Sequence, residues 1–391
     1  MVSFAIRGPI SRDDLPGLCN RVRGLLPDEG GVVRCDVAGV VPDAVTVDAV
    51  ARLQLAAKRR DCEVRLCNAS DALLELVELM GLTHVLPCAG KGPRFDPVVG
   101  GHTERMERMV RANGVELCVE TFGDGSAPAV LLIAGGAQSM DWWETEFCEQ
   151  LARGPRYVVR YDLRDTGRSI TYPPGKPGYG GQELVHDAVG LLDALGVPRA
   201  HLVGISSGGG IAQLVALADP TRVASLTLVS TSPAVPGADA PLPPMTGELR
   251  AHFAMPPSEP DWTDREAVVD YIVDGLRHYA GSVSADEARS RALAETVVDR
   301  TLDIESSMKN HDLLEDDGEF AKYRLGDVEA PTLVVHGTED PLFPHAHGEA
   351  LAAAISGARL VSLEGVGHEV PPPQTWEVVA PAILEHTEER L

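Results

Sequence analysis

His201-Leu202-Val203-Gly204-Ile205-Ser206-Ser207-Gly208-Gly209-Gly210-Ile211-Ala212 is the stretch on which the reading of this chain turns. His201 to Ile205 is a short apolar run of strand type and Ile211 to Ala218 a helical one, so Ser206 falls on a sharp strand-to-helix turn. Gly204 and Gly208, two residues to either side, leave out side chains where strained backbone angles would crowd them. The helix that follows points free backbone N–H groups at developing negative charge. A Gly-rich turn also serves to cradle phosphate, but that use needs a Gly-Lys-Ser/Thr ending or the order Gly-x-Gly-x-x-Gly, and Gly208-Gly209-Gly210 supplies neither. The stretch reads as a nucleophile turn with Ser206 as the nucleophile.

A serine hydroxyl attacks poorly unless a base takes its proton, and that base must be held in one tautomer by a third group. Downstream, Thr332-Leu-Val-Val-His336-Gly-Thr-Glu-Asp340 is a strand that runs into a loop ending in a carboxylate. Glu364-Gly-Val-Gly-His368-Glu-Val-Pro371 is a loop whose glycines precede a histidine. The order Ser206, Asp340, His368 is that of a serine triad built on an α/β sheet. Glu339 is the alternative acid, disfavoured by the His-Gly-x-x-Asp spacing that ends on Asp340. If His368 is the base, activity rises with pH as it loses its proton. His336, His345 and His347 read as structural or surface residues: no carboxylate cluster with helical spacing accompanies them, so no metal is expected. No cofactor is needed either. An oxyanion hole requires two backbone N–H groups. Ser207 supplies one, and Gly136, in Ala134-Gly135-Gly136-Ala137 after the apolar run from Val130, is the candidate for the other.

Working outward, Ala129 to Ala134, Tyr157 to Tyr161, Ser225 to Ser230 and Thr332 to His336 are further runs of the kind buried on both faces of a parallel sheet. Helical segments separate them, as crossover connections require. Arg111 to Phe122 predicts an opening hairpin broken at Asn113-Gly114. Between Pro233 and Pro331 the strand rhythm stops, and helical segments such as Arg265 to Tyr279 and Ala285 to Thr301 predict a helical lid at about 234–325, over the carboxyl ends of the strands. Asp162 to Ser169 groups Asp, Arg and Ser, which invites a catalytic reading. Trp142 and Trp143 are open to two readings, the wall of an aromatic pocket or ordinary core.

Residues 1–90 alternate strand and helix on a shorter rhythm: Phe4 to Ile6, Gly31 to Val41 and Cys62 to Cys67 as strands, and Arg12 to Leu26, Asp48 to Arg60 and Ala72 to Met80 as helices. A Gly- and Pro-rich stretch around Cys88 to Gly101 has no periodicity and marks a linker, taken as 91–105, before a domain over 106–391. At 391 residues, two domains are the natural expectation. With 44% apolar and 24% charged residues the composition is that of a globular protein, and no apolar run is long enough to span a bilayer. A net charge of −24 repels polyphosphate and anionic lipid, which excludes nucleic acid and membrane surface as expected partners. The seven cysteines form no Cys-x-x-Cys pair and fit reduced thiols, and Met1 to Pro9 lacks the features of a secretory signal. Both point to the cytoplasm.

From about Val110 onward these residues resemble the α/β-hydrolase superfamily, which implies a mostly parallel sheet with helices on both faces and a helical lid. Within it, Tyr161-Asp-Leu-Arg-Asp-Thr-Gly-Arg-Ser169, Asn310-His311-Asp312 and Val335-His-Gly-Thr-Glu-Asp-Pro-Leu-Phe-Pro344 look like the aclacinomycin methylesterase group. That resemblance implies hydrolysis of a carboxylic ester, such as a methyl ester of a polyketide-like or other bulky small molecule. In similar proteins the Asp162 to Ser169 segment is a structural turn after a strand, and that likeness implies that Arg164 and Asp165 tie loops together. The family's usual His-Gly before the oxyanion donor is Ala134-Gly135 here. Residues 1–90 look like a small STAS-like α/β domain on the order of their elements and on Cys35-Asp36-Val37-Ala38-Gly39. The regulated members of that group carry a phosphorylatable serine after an aspartate, whereas Asp43 and Asp48 are followed by Ala44 and Ala49. The STAS resemblance implies a protein partner, and an alternative function follows from it: a hydrolase-fold sensor of a small molecule acting in stress or sigma-factor signalling.

Overall fold

Short β-branched runs with no polar face have to be buried on both sides, and the sheet that buries them here is described by a computed structural model covering residues 2–8, 31–40, 43–58, 62–67, 73, 76–77 and 106–388, except 238–240, 284–285 and 316. The chain divides into two compact units, Met1–Gly101 and His102–Leu391.

In the first unit, β1 (Val2–Gly8), β2 (Gly31–Val40) and β3 (Cys62–Cys67) form a parallel sheet in the order β1-β2-β3. Helix α1 (Ala44–Lys58) buries Val47, Val50, Leu53 and Ala57. It begins four residues before the expected Asp48, because Asp43 Oδ1 accepts the Thr46 N–H (2.8 Å) and caps the first turn. The expected helix at 12–26 and the linker at 91–105 lie outside the described residues, as does most of the expected helix at 72–80.

The second unit holds an eight-stranded sheet in the order β11-β10-β9-β8-β6-β7-β5-β4. β4 (Met106–Ala112) and β5 (Val115–Phe122) are the hairpin, joined at Asn113 and Gly114, both with positive φ. β5 also pairs antiparallel with β7 (Tyr157–Tyr161), and every other pairing is parallel. β6 (Ala129–Ile133), β8 (Ala200–Ile205) and β10 (Thr332–Gly337) are buried at every residue. β9 (Val223–Val229) lies between β8 and β10, and β11 (Arg359–Leu363) closes the edge.

Two apolar layers flank the sheet. One packs α3 (Gly181–Ala194), α4 (Ser207–Ala218) and α9 (Ala346–Ala354) through Leu191, Ile211, Val215 and Leu351. The other packs α2 (Thr145–Arg153) and α10 (Trp376–His386) through Phe147, Leu151, Val379 and Ile383. Trp143 belongs to this second layer, fully buried and stacked on Phe147, so it is core and not pocket wall. Between β9 and β10, in the stretch expected to form the lid, come the helices α5 (Gly247–Ala254), α6 (Arg265–Arg277), α7 (Glu287–Arg300) and α8 (Ile304–Lys309). Among the described residues no helix is long and apolar enough to cross a membrane.

The lid is fastened to the body by charge. Arg300, at the end of α7, donates to Asp162 (2.7 and 2.9 Å), Asp141 (3.0 Å) and Glu107 (3.1 Å), and Arg289 pairs with Glu144. Asp162 also accepts the Met140 and Arg168 amides, Arg164 pairs with Asp187, and Asp165 accepts the Tyr172 amide. The Asp162 to Ser169 segment is therefore a tie between loops.

On β8, His201 hydrogen-bonds Ser225 (2.8 Å), and burial together with the nearby Arg156, His386 and Arg199 pushes its pKa down to about 4. Folded His201 stays neutral while the unfolded chain takes up a proton below about pH 6.5. Its contribution to stability is full above that pH and declines as pH falls towards 4, by about 3 kcal/mol in total. Denaturant titrations are expected to show His201→Asn losing about 3 kcal/mol less than the wild type between pH 7 and pH 4. Equal losses would mean that His201 is protonated in the fold.

Candidate active site

Ser206 has φ +52° and ψ −122°, a conformation that costs a non-glycine residue about 1–3 kcal/mol and persists only where its surroundings impose it. The surroundings are close-packed backbone. A Cβ on Gly204 would lie 2.2 Å from Gly208 O, and one on Gly208 would lie 2.4 Å from Ala134 O. The two glycines thus let strand β8 turn into α4 with β6 alongside. Ser206 N donates to Val229 O (3.0 Å), and Ser206 O accepts the Thr231 hydroxyl (2.7 Å), which anchors the turn to the end of β9.

The loops after β10 and β11 bring Asp340 and His368 to this turn. His368 Nε2 lies 3.0 Å from Ser206 Oγ, and His368 Nδ1 lies 2.9 Å from Asp340 Oδ2. A carboxylate only accepts, so Nδ1 carries the proton and Nε2 is free to take one from the serine. Asp340 is buried, and its Oδ1 accepts the amides of Leu342 (2.9 Å) and Phe343 (2.8 Å), which fixes the carboxylate plane. The imidazole of His368 sits between the Tyr279 and Phe343 rings, at centroid distances of 5.9 and 5.4 Å. Glu339 points elsewhere: it accepts the amide (2.7 Å) and hydroxyl (3.0 Å) of Ser282 in the lid.

His336 is fully buried and donates from Nε2 to Phe343 O (2.7 Å), and burial lowers its pKa, which favours the neutral ring. His347 bridges Ser232 Oγ and Pro243 O, and His345 contacts Ser362 Oγ. These histidines hold loops, and no group of three or more His, Cys, Asp or Glu with metal-binding geometry occurs among the described residues.

The loop after β6 offers three successive amides. Gly135 N donates to Gln138 Oε1 (2.9 Å) and Ala137 N to His311 Nδ1 (2.9 Å), whereas Gly136 N has no acceptor among the described residues. Gly136 is next to Ser207: a Cβ on it would lie 3.5 Å from Ser207 Oγ. Ser207 is the first residue of α4, so its N–H has no partner within the helix. Two unengaged amides, those of Gly136 and Ser207, therefore lie in neighbouring residues beside the turn at Ser206.

The lid also supports the histidine loop, a role that the sequence did not reveal. His368 N donates to Tyr279 O (2.8 Å), and Val283 N donates to Gly365 O (3.0 Å). Here backbone meets backbone: a Cβ on Gly281 would fall 2.2 Å from Gly365 O, and one on Gly367 would fall 2.0 Å from Tyr279 O. A wide groove of about 730 Å³, lined by Arg111, Val185, Val215 and Asp219, lies at the far end of α4 from Ser206 and takes no part in this geometry.

Comparison with known proteins follows the same outline. The sequence profile of the alpha/beta hydrolase fold family matches residues 128–372. The chain is 35% identical over 295 residues to rhodomycin D methylesterase of Streptomyces sp. (strain C5), covering 72% of this chain and 97% of the relative, and matches its counterpart from Streptomyces peucetius equally. Among solved structures, a meta-cleavage product hydrolase from Pseudomonas fluorescens IP01 superposes with a TM-score of 0.56 at 21% identity, over 71% of this chain and 96% of that one. At that identity the likeness shows the fold alone.

The close approach of the lid to the histidine loop is testable. Gly281→Ala is expected to slow phosphonylation of Ser206 by a fluorophosphonate roughly tenfold or more, because a displacement of the base by about 1 Å is enough to do so. Gly275→Ala, in the same lid but with nothing within 4 Å of the added methyl, is expected to react like the wild type. Equal rates for the two variants would mean that the lid contact does not position His368.

Proposed function

The chain belongs to the α/β-hydrolase fold family and is a hydrolase of carboxylic esters, and from that premise we propose that Ser206, Asp340 and His368 are its catalytic triad. Ser206 Oγ attacks the ester carbonyl as His368 Nε2 accepts its proton. Asp340 holds the imidazole by Nδ1 and stabilises the imidazolium. The N–H groups of Gly136 and Ser207 bind the tetrahedral oxyanion. His368 then returns the proton to the departing alcohol, leaving an acyl-enzyme, and activates the water that releases the acid. The observation that carries the reading is the unbroken relay from Ser206 Oγ to His368 (3.0 Å) to Asp340 (2.9 Å), beside two unengaged amides.

For the substrate we propose a methyl ester on a bulky small molecule. Support comes from the rhodomycin D methylesterases that the chain resembles over nearly their full length. The STAS-like reading of residues 1–90 stays a proposal, supported by the parallel order β1-β2-β3 and by the helix α1 between β2 and β3.

Intact mass after fluorophosphonate treatment tests the triad. One adduct is expected on the wild type and none on Ser206→Ala, whose ester hydrolysis is expected to fall about a millionfold. A wild type that takes no adduct, or a Ser206→Ala variant that still does, would overturn the assignment.

A further inference from the structure

The proposed oxyanion donor Gly136 is a glycine in a loop, and its N–H is useful only if the two peptide planes that meet at its Cα are held still. Planarity makes each of those planes a rigid body that can be gripped from one atom. The plane before Gly136 is gripped by the loop itself, since Gly135 O accepts Gln138 N (3.2 Å). The plane after it is gripped from outside the loop, by His311 Nδ1 on Ala137 N (2.9 Å).

His311 lies 174 residues further along the chain, in the lid just after α8. Its other nitrogen, Nε2, donates to Arg164 O (2.7 Å) in the turn after β7. One imidazole therefore spans lid, oxyanion loop and the Asp162 to Ser169 tie, and both its nitrogens are used. A carbonyl can only accept and an amide only donate, so the ring must be neutral with its proton on Nε2. Burial favours that form by lowering the His311 pKa, against the opposing pull of the Arg164 carbonyl, Asp165 and Asp312. Its neighbour Asn310 is buried and fixes the same segment by accepting Gly175 N (2.7 Å).

The loop needs this hold. Ala137 has φ +58°, a left-handed conformation unusual for alanine, and such a residue stays there only when bonds around it impose the shape.

We propose that His311 is a positioning residue of the oxyanion hole: its neutral imidazole clamps the peptide between Gly136 and Ala137 to Arg164 O, so that the Gly136 N–H faces the oxygen of the tetrahedral intermediate. The inference rests on the triad and oxyanion reading above. It makes the lid a working part of the transition-state site as well as a cover for the substrate.

The test uses the full-length wild type, His311→Phe and His311→Gln, with p-nitrophenyl acetate as substrate, phenylboronic acid as a tetrahedral mimic, and thermal unfolding measured alongside. Phenylalanine keeps the ring and loses both bonds, whereas glutamine offers an acceptor and a donor. Removing an oxyanion donor outright costs roughly 10²–10³-fold in kcat, so mispositioning one in His311→Phe is expected to cost about ten- to hundredfold, with KM within about threefold. The boronate is expected to bind His311→Phe more weakly by the same factor as kcat/KM falls, and His311→Gln is expected to stay within about fivefold of the wild type. Should His311→Phe fail to fold, His311→Leu takes its place with the same loss expected, while His311→Asn, whose Oδ1 stands in for Nδ1, is expected to stay within about fivefold like the glutamine variant. The proposal is overturned if His311→Phe keeps wild-type kcat, if the loss appears in KM alone, if boronate affinity does not follow kcat/KM, or if the amide variants lose as much as phenylalanine. Fluorophosphonate labelling of the wild type separates the two levels: no adduct overturns the triad itself, whereas an adduct with any of those results overturns only the role of His311.

Discussion

Backbone packed against backbone at Ser206 is the constraint on which the site depends. Strand β8 has to stop, turn and become helix α4 within a few residues, while β6 lies close enough that a methyl group on Gly208 would strike Ala134 O at 2.4 Å. This geometry forces Ser206 to φ +52° and lifts its side chain clear of the sheet. It also brings Ser207, at the start of α4, next to Gly136, in the loop after β6, where a Cβ would lie 3.5 Å from Ser207 Oγ. The strain at Ser206 is borne by strands buried at every residue, where neither partner can move without opening the core.

Around that rigid centre, the remaining functional groups sit on loops, and loops need external support. Asp340 receives it locally, from the amides of Leu342 and Phe343. His368 and Gly136 receive it from the lid: Tyr279 O and Gly281 brace the histidine loop, and His311 braces the oxyanion loop. The lid in turn is held to the body by Arg300, which meets Asp141, Asp162 and Glu107 at once. Asp141 and Asp162 adjoin the oxyanion loop and the Arg164 turn, so the ion cluster and the His311 clamp stiffen the same corner of the molecule. A buried cluster of this kind is costly to assemble and more costly to break, which favours one lid position over a continuum of them.

Much of this was legible beforehand, and what made it legible was local. The Gly-x-Ser-x-Gly spacing states a steric requirement inside five residues, so Ser206, Gly204 and Gly208 could be read directly. Asp340 and His368 stand at the ends of short motifs that follow strands, and their order along the chain is part of the signal. Ser207 and Gly136, the proposed oxyanion donors, were read from their places relative to the proposed nucleophile. Strand β11 gave a weak signal because it is an edge strand: Arg359 is exposed, Leu363 is the residue it buries, and alternation of apolar residues is lost. Helix α1 started early because capping by Asp43 outweighed the apolar pattern that suggested Asp48.

By itself, the sequence determined the fold class, and it pointed to the turn at Ser206, to the Asp340 and His368 loops proposed as acid and base, and to the helical stretch between β9 and β10, because each is written in the type and spacing of neighbouring residues. Only the tertiary structure decided that His311 grips Ala137, that Glu339 serves Ser282 and not His368, that Arg300 gathers three carboxylates, and that Trp143 is core. Those contacts join residues far apart in the chain, and several run through backbone atoms that every residue possesses. Neither kind leaves a periodicity or a spacing to read, so the folded chain alone brings them into view.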